Sequence, residues 1–317
     1  MAHRPLPIQQ FPDMALMKIF GLMKPLDVVF MTQTSSKMKT IIRKNSRTRP
    51  ISMMLISDAK GSYVSIMWGE SVNTYIELIV SRTPCGYVDH KDGLKFHPKL
   101  FGCITYCTGL YSGYCAIIDF LNELYFIDSF SIDCHWKTQK EMKSIVQYAK
   151  TVGLKLDYVR LIGSLTCKSE NKEMLNECKE AGTVYLQASE ICDFNDLQVD
   201  RLTLEHPKNF GVNHLLTTLR CKSVILLDAY LPPDELNEFL HVWKNGNDTF
   251  GYFELDRDYD LRSVIGGLEA TSVESVVLDG RRVQKFLPYK CYRFNKADGT
   301  RALVYCLHFK FIVRIEK

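Results

Sequence analysis

Hydrophobic positions near the start of the chain repeat with the period of an α-helix. The apolar side chains of the first stripe follow the i, i+3, i+4, i+7 spacing at Leu16, Ile19, Phe20 and Met23. Two further stripes follow Pro25 and the pair Ser35-Ser36, residue types that begin and cap helices. Residues 1–46 therefore predict three short helices. Helices this short cannot bury all of their apolar surface among themselves, so part of it is predicted to dock on another molecule.

Residues 47–135 show short apolar runs bounded by turn residues, which is the pattern of β-strands. Runs at 53–56 and 63–68 flank Asp58–Gly61, a sequence typical of a hairpin turn. We predict a β-rich connecting region here. The longest apolar stretch, 114–127, is interrupted by acidic residues and is shorter than the roughly 18–20 residues that a membrane span needs.

From residue 136 onward, helical stripes alternate with short apolar strands. The predicted strands lie at 158–162, 184–187, 200–204, 223–227 and 251–255. Their spacing of about 17–27 residues overlaps the 20–29 of leucine-rich repeats, although the consensus Asn/Cys ladder is missing. Residues 136–317 are therefore predicted to form a degenerate leucine-rich-repeat-like α/β region, in which Trp243 completes the core face of one helix.

The C-terminal end returns to a β pattern. Residues 303–315 alternate strictly between apolar and other positions, which predicts one final strand with one buried face. Asp279-Gly280 and Asp298-Gly299 are hairpin turn sequences. The predicted fold class is mixed α/β: three N-terminal helices, a β-rich middle and the repeat-like region ending in a β-hairpin.

Composition places the chain among folded globular proteins, since 46% of residues are hydrophobic and 24% are charged. The net charge of +4 on 317 residues neither requires nor excludes an acidic partner. The 11 cysteines are odd in number and form no paired framework. We interpret them as reduced core thiols, which indicates the cytosol or the nucleus, and the prolines and Asp13 near the N-terminus argue against a signal peptide.

No candidate chemistry supports an enzyme or a metal site. Cys134 and His135 are neighbours on a predicted strand, so their side chains point to opposite faces and cannot act together. Nucleophile-elbow, phosphate-loop and zinc-protease motifs are absent from the sequence. Cys103, Cys107 and Cys115 lie among apolar residues, and core thiols explain them better than a zinc site with His97 does. We predict no catalytic residue, cofactor or metal.

A basic stretch between residues 37 and 49 contains six lysines and arginines without an acidic residue. Nucleic-acid surfaces combine such charge with aromatic side chains for stacking, and few aromatics are interleaved here. We interpret the stretch as a solvated helix face with a linker, and we expect neither nucleic acid nor membrane as a partner.

The N-terminal segment resembles an F-box. The resemblance rests on Leu6-Pro7 followed by residues 11–16, on Leu22–Asp27 and on Thr34–Lys39. In that motif, a proline-led first helix, a short second helix and a third helix that begins with serine and a basic residue bind the Skp-family adaptor of cullin ligases. Here the usual Leu-Pro opening is either Phe11-Pro12 or Leu6-Pro7, and methionines stand where leucines are common.

A second segment resembles the type-two F-box-associated domain of nematode F-box proteins. It comprises Asn213–Leu216 and Phe239–Gly246, and the tail from Tyr292 to Ala302 is similar to the closing segment of those proteins. The pairing of both segments in order is more specific than either one alone.

The resemblance implies a substrate-recognition adaptor of a cullin-RING ubiquitin ligase that is not itself an enzyme. Its partners would be a Skp-family adaptor, through it a cullin, and an unknown target protein. The implied adaptor-binding residues are Leu6, Pro7, Phe11, Pro12, Leu16, Ile19, Phe20, Leu22, Met23, Leu26 and Val29. The alternative is a stand-alone protein-binding module with a decayed F-box.

The sequence assigns no target-binding residue. Polar and aromatic residues that follow predicted strands are positioned for contact, namely His206, Asp228, Tyr230, Asp256, Arg257, Asp258 and Asp260. No single one of them is singled out by its pattern.

Overall fold

The computed structural model describes residues 10–46, 50–58, 60–68, 72–80, 94–99, 102–135, 138–162, 168–187, 197–218, 220–246, 250–278, 282–287 and 289–316. Internal contacts divide the chain into two compact units, Met1–Asp157 and Tyr158–Lys317, called here the N-terminal and C-terminal units. The three-part division at residues 46 and 135 stays a prediction.

Three short helices open the N-terminal unit, as the hydrophobic pattern predicts. They are α1 (Asp13–Leu22), α2 (Pro25–Thr32) and α3 (Ser36–Ser46). The prolines stand where the prediction places them, with Pro12 preceding α1 and Pro25 as the first residue of α2. The Ser35 hydroxyl accepts a hydrogen bond from the Met38 amide at 3.1 Å and so caps α3.

Six strands and two further helices complete this unit. They are β1 (Pro50–Ser57), β2 (Ser62–Trp68), β3 (Val72–Val80), β4 (His97–Lys99), β5 (Gly102–Cys107), α4 (Leu110–Leu124), β6 (Phe126–His135) and α5 (Gln139–Thr151). The strands lie in the order β6-β1-β2-β3-β5-β4. The predicted hairpin joins β1 to β2, where the Asp58 carboxylate accepts hydrogen bonds from the amides of Lys60 and Gly61.

Helix α4 was not predicted and lies inside the β-rich region. Its buried side chains lie on one face at helical spacing, at Tyr114, Ile117, Ile118, Phe120, Leu121 and Leu124. This stripe is present in the sequence, but the segment was interpreted there only as an apolar stretch. It packs very closely on the sheet, because a Cβ at Gly113 would lie 2.6 Å from the Cys107 Sγ atom. The apolar stretch 114–127 is thus mostly a core helix.

Parallel strands and helices alternate through the first part of the C-terminal unit. The elements are β7 (Leu156–Ile162), α6 (Lys168–Cys178), β8 (Thr183–Gln187), β9 (Arg201–Glu205), α7 (Val212–Thr217), β10 (Ser223–Leu227), α8 (Pro233–Asn245) and β11 (Tyr252–Leu255). The five strands are parallel and neighbour one another in chain order. The predicted strands are therefore confirmed to within two residues, whereas their assignment to leucine-rich repeats stays a prediction.

The last segment folds into antiparallel strands that extend the same sheet. The elements are α9 (Leu261–Val264), β12 (Thr271–Ser272), β13 (Ser275–Leu278), β14 (Arg282–Lys285), β15 (Cys291–Asn295), β16 (Arg301–Leu307) and β17 (Lys310–Ile315). Strand β17 pairs with β11, and β16, β15 and β12 follow outward. The hairpin predicted at Asp298-Gly299 joins β15 to β16, and Gly299 has a φ of +82° that suits glycine. Strands β13 and β14 pair as a separate hairpin whose turn residues lie outside the described ranges.

The prediction of one final strand with one buried face was wrong. A two-residue turn at His308-Phe309 splits the segment into β16 and β17, which pair Leu307 with Lys310. Across a two-residue turn, odd-numbered residues of one strand pair with even-numbered residues of the next, so they lie on the same face of the sheet. As a result Tyr305 and Ile312 share one face, while Cys306 and Phe311 share the other. Both faces are buried, and the β13–β14 hairpin covers Leu303, Tyr305 and Ile312 through Val276.

The described cysteines are free, and all of them are buried except the half-buried Cys115. This confirms their interpretation as core thiols for the described part of the chain. Cys134 is buried and the adjacent His135 is half-buried. Among the helices in the described ranges, none combines the length and apolar character that a bilayer crossing requires.

Candidate functional site

The N-terminal helices leave an apolar face uncovered. Met14 and Leu22 are 71% and 83% exposed, and Met17 is exposed beside them on α1. Gly21 lies on the same face, and no atom of the described residues lies within 4 Å of the position that a Cβ would take there. Exposed large apolar side chains that share one helix face are typical of an interaction surface. We call Met14, Met17, Leu22 and the adjoining half-buried Met23 the α1 face.

The predicted adaptor-binding residues divide into core and surface. Leu16, Phe20 and Val29 are at most 3% exposed and hold the three helices together, so they do not offer contact surface in this conformation. Pro12 and Leu22 are exposed, and four residues are half-buried at the margin, namely Phe11, Ile19, Met23 and Leu26. Leu6 and Pro7 lie outside the described residues. Because the burial of helix stripes depends on their tertiary neighbours, sequence periodicity alone could not separate these groups.

The basic stretch pairs partly with acidic residues of its own unit. Arg43 forms an ion pair with Glu123 on α4, and Lys44 Nζ lies 2.6 Å from a carboxylate oxygen of Asp13. Lys39 lies over the Phe120 ring at 5.9 Å. These contacts fit a solvated helix face that helps to fasten α3 to its neighbours.

In the C-terminal unit, Trp243 is a core residue, as predicted. Its ring is fully buried on α8, and its indole N–H donates a hydrogen bond to the Phe250 carbonyl oxygen at 3.1 Å. The ammonium of Lys296 lies 4.8 Å from the ring centroid, which adds a cation–π contact. Glu235 on the same helix accepts a hydrogen bond from the Val212 amide at the start of α7. These contacts hold α7 and α8 in place within the C-terminal unit.

The carboxyl ends of the parallel strands bring together residues that sequence reasoning only placed near strand ends. His206 follows β9 and Asp228 follows β10, and an imidazole nitrogen of His206 lies 3.4 Å from the Asp228 carboxylate. Both residues have positive φ angles, 51° and 53°. Residues held in this region carry strain of about 1–3 kcal/mol each, and they cluster at functional sites.

The same edge exposes two aromatic side chains. Tyr230 is 59% exposed, and the Arg257 guanidinium stacks over its ring at 4.9 Å. Phe309 is 81% exposed in the β16–β17 turn, which adjoins the carboxyl end of β11, where Leu255 pairs with Phe311. Tyrosine and arginine are enriched among the residues that dominate protein–protein binding energy. We call His206, Asp228, Tyr230, Arg257 and Phe309 the strand-end edge.

Two of the residues predicted at strand ends have structural roles instead. Asp258 binds the Lys290 ammonium at 3.3 Å, and the Asp260 carboxylate caps α9 by accepting a hydrogen bond from the Arg262 amide. Burial alone would raise the pKa of Asp258, but hydrogen bonds from Cys306 and Lys290 outweigh it and hold that pKa below its usual range. Sequence reasoning missed Phe309, because it placed the residue inside a strand.

The sheet face opposite the helices carries polar and aromatic side chains in rows across the parallel strands. One row contains Arg160 and Tyr185, stacked with the guanidinium 5.1 Å from the ring centroid. Tyr185 in turn donates a hydrogen bond to Glu205. Burial raises the pKa of Tyr185 to about 12, and the Glu205 carboxylate acts in the same direction. Side chains of this kind on an open sheet face are suited to binding an extended partner.

No group of three or more histidine, cysteine or acidic side chains that could hold a metal ion occurs in the described part of the chain. Burial raises the pKa of the Cys103 thiol to about 12, which leaves it protonated and a poor nucleophile at neutral pH.

In a comparison with known proteins, one segment of the chain matches a family model. Residues 190–249, which contain β9, α7, β10 and α8, match the F-box associated family. Over 212 residues the chain is 26% identical to the Skn-1 dependent zygotic transcript 15 protein of Caenorhabditis elegans. The aligned region covers 62% of this chain and 60% of that protein. The chain therefore spans about 60% of the length of this curated relative. Among solved structures, none matches the chain.

Proposed function

This chain carries an F-box-associated segment of the nematode type, and from that premise we propose that it is the target-recognition subunit of a cullin-RING ubiquitin ligase. Residues 1–46 contact a Skp-family adaptor and through it a cullin, and the C-terminal region from residue 136 holds a target protein. The chain performs no chemistry of its own. It acts in the cytosol or the nucleus, where such ligases would meet their targets.

The observation that carries ligase docking is the α1 face. Its methionine and leucine side chains gain about 25 cal/mol for each Å² of apolar surface that a partner removes from water. That gain is available because Leu16, Phe20 and Val29 already fix the helices from below. A preformed apolar face loses little conformational entropy on binding, which favours association.

The mechanism of such a subunit is positional. When one partner holds the target and the other holds the ligase, attack of a target lysine on the activated ubiquitin becomes effectively intramolecular. The gain is set by effective concentration, which reaches the millimolar range for short linkages. The F-box-associated segment supports the target-holding role, and the exposed aromatic residues of the strand-end edge are its first contact candidates.

Co-purification of the full chain with a Skp-family adaptor tests the proposal. The double substitution Met14→Glu and Leu22→Glu puts charge on the α1 face without touching the buried residues beneath it. The matched control is Leu287→Glu, because Leu287 is 74% exposed in the C-terminal unit and compares with 83% for Leu22. We expect wild type and control to retain the adaptor, and the double variant to lose at least about tenfold in affinity, or 1.4 kcal/mol.

Retention by the double variant would show that the α1 face is not the docking surface. If the wild-type chain itself fails to bind any Skp-family adaptor, the protein is a stand-alone binding module without ligase recruitment. Thermal unfolding of each variant separates loss of contact from loss of fold.

A further inference from the structure

A cavity of about 590 Å³ lies on the open sheet face of the C-terminal unit. The strand register puts the first residues of three parallel strands and one residue of β17 into a single row that lines it: Arg201, Ser223, Tyr252 and Arg314. The cavity is therefore built on the sheet rather than on loops. Its volume is within the usual 300–1,000 Å³ range of ligand pockets.

The cavity lining carries an excess of positive charge. Arg201, Lys222 and Arg314 contribute guanidinium and ammonium groups, and Glu254 contributes a carboxylate. That carboxylate is already neutralised, because it accepts a hydrogen bond from the Tyr252 hydroxyl at 2.5 Å and forms an ion pair with Lys310. Because Glu254 and Lys222 are each held in an ion pair, the exposed guanidinium of Arg201 supplies the positive charge toward the cavity.

Arg201 is the cation best placed to receive a ligand. Lys222 is paired with Asp200 at 2.6 Å, whereas no carboxylate among the described residues pairs with the exposed Arg201. The half-buried Ile225 and Ile315 line the cavity beside these groups and reduce its contact with water. A guanidinium in such surroundings binds a carboxylate or phosphate group through two parallel hydrogen bonds.

We propose that this cavity binds an anionic side chain in an extended acidic segment of the target protein. The inference rests on the proposed function, because it takes the ligand to be a protein target. Three inter-strand spacings separate β9 from β17, or about 14 Å, which matches roughly four residues of an extended chain. The anionic group is a carboxylate or a phosphate, since both present the same oxygen geometry to an arginine.

Acidic residues at the other ends of the same strands argue against a polyanionic ligand such as RNA. Glu205 ends β9, and Asp228 and Asp256 follow β10 and β11. Four residues of strand place Glu205 about 13 Å from Arg201, well within the reach of a nucleic-acid backbone. A continuous phosphate chain would meet these carboxylates, whereas a short acidic segment would contact the basic row alone.

Binding of fluorescent peptide pools to the full chain tests the proposal. Each pool contains nine-residue peptides with one fixed central residue: aspartate, glutamate or phosphoserine in the anionic pools, and asparagine, glutamine or serine in the neutral ones. We expect at least one anionic pool to bind about fivefold or more tightly than its neutral counterpart, as a partly exposed charge-assisted pair allows. The aspartate and phosphoserine arms show which anion is preferred.

The variants Arg201→Gln and Arg314→Gln are expected to abolish this preference, with thermal unfolding as a check on the fold. The matched control is Arg262→Gln. Arg262 is an exposed arginine on α9 whose guanidinium lies 4.0 Å from the centroid of the Tyr289 ring, and it does not line the cavity. Equal binding of anionic and neutral pools would overturn the proposal, and so would an unchanged preference in Arg201→Gln. Tighter binding of a single-stranded RNA oligonucleotide than of any peptide pool would also overturn it.

Skp-adaptor retention distinguishes this result from the test of the proposed function. If the chain binds the adaptor but shows no preference for anionic peptides, the cavity proposal is rejected and the proposed adaptor role stands. If the chain prefers anionic peptides but binds no adaptor, the cavity proposal stands and the protein is a stand-alone binding module.

Discussion

At the scale of single residues, burial decides what the cysteines can do. Cys103, Cys291 and Cys306 lie in the core, and burial raises the pKa of each thiol to about 12. Cys115 on α4 is half-buried, and its pKa is also raised, mainly by burial. A thiol must become a thiolate to react, so buried cysteines that resist ionisation are packing residues rather than nucleophiles.

Native-state alkylation tests this interpretation. At pH 8 we expect iodoacetamide to modify Cys103, Cys291 and Cys306 only as fast as the fold opens, and to modify Cys115 sooner. Peptide mass spectrometry resolves the sites. Rapid modification of Cys291 in the folded protein would contradict the buried placement.

The same pKa shifts predict a dependence of stability on alkaline pH. Unfolded thiols release their protons near the ordinary pKa of about 9, whereas the folded ones retain them to about 12. The unfolded state therefore binds fewer protons in this range, and the free energy of unfolding falls as pH rises through it. Cys291→Ala removes one such group, so its stability should fall less steeply between pH 9 and 11 in denaturant titrations.

At the scale of elements, two helix glycines have opposite roles. Gly113 on α4 packs against Cys107 and Leu78. A Cβ added at Gly113 would lie 2.6 Å from the Cys107 side chain and 2.9 Å from that of Leu78. At Gly21 on α1, an added Cβ would meet no atom of the described ranges within 4 Å. One glycine therefore permits close packing, while the other only weakens its helix.

Alanine at the two positions should change stability in opposite directions. Gly113→Ala overpacks the α4–sheet contact and is expected to cost about 1–3 kcal/mol. Gly21→Ala is expected to gain about 0.5–1 kcal/mol, because alanine favours the helix. Chemical unfolding measures both, and equal effects would contradict the packing seen at Gly113.

The β16–β17 turn is built from residues that ordinarily avoid its backbone conformation. His308 and Phe309 have φ angles of 51° and 62°, and turns with two positive φ angles favour Asn-Gly. A bulky exposed phenylalanine with a positive φ angle lowers the stability of the fold, which is consistent with a role of Phe309 in binding a partner.

Replacing the pair by Asn-Gly should separate stability from binding. We expect His308→Asn with Phe309→Gly to raise the free energy of unfolding by about 0.5–1 kcal/mol, since the native φ angles suit the new residues. Capture of target proteins by the full chain, compared by quantitative mass spectrometry, is expected to fall. Undiminished capture would show that Phe309 is not a contact residue.

At the scale of the whole molecule, the two surfaces lie in different compact units. The α1 face belongs to Met1–Asp157, and the strand-end edge and the cavity belong to Tyr158–Lys317. Substitutions at sites that share no partners generally add. Docking and target recognition are therefore expected to fail independently.

A double-mutant cycle tests that independence. Leu22→Glu should leave binding of the preferred peptide pool unchanged, and Arg201→Gln should leave Skp-adaptor affinity unchanged. The combined variant should show the sum of the two effects within about 0.5 kcal/mol. A larger interaction energy would mean that the two surfaces are energetically coupled.

The sequence by itself determined the local elements. Helical spacing located α1, α2, α3 and α8, and short apolar runs located β7–β11, because side-chain periodicity is a property of neighbouring residues. It also indicated a similarity to F-box-associated segments at Asn213–Gly246, which lies within the matched residues 190–249. The burial of Trp243 followed from its place on the stripe of α8.

Only the tertiary structure decided which apolar residues are surface and which strands share an edge. Leu16 and Leu22 are alike in sequence, but long-range packing buries one and exposes the other. The β16–β17 turn was hidden because a two-residue reversal preserves the alternation of apolar residues in the sequence. The row Arg201, Ser223, Tyr252 and Arg314 exists only through strand register, a relation between residues far apart in the chain that no local pattern encodes.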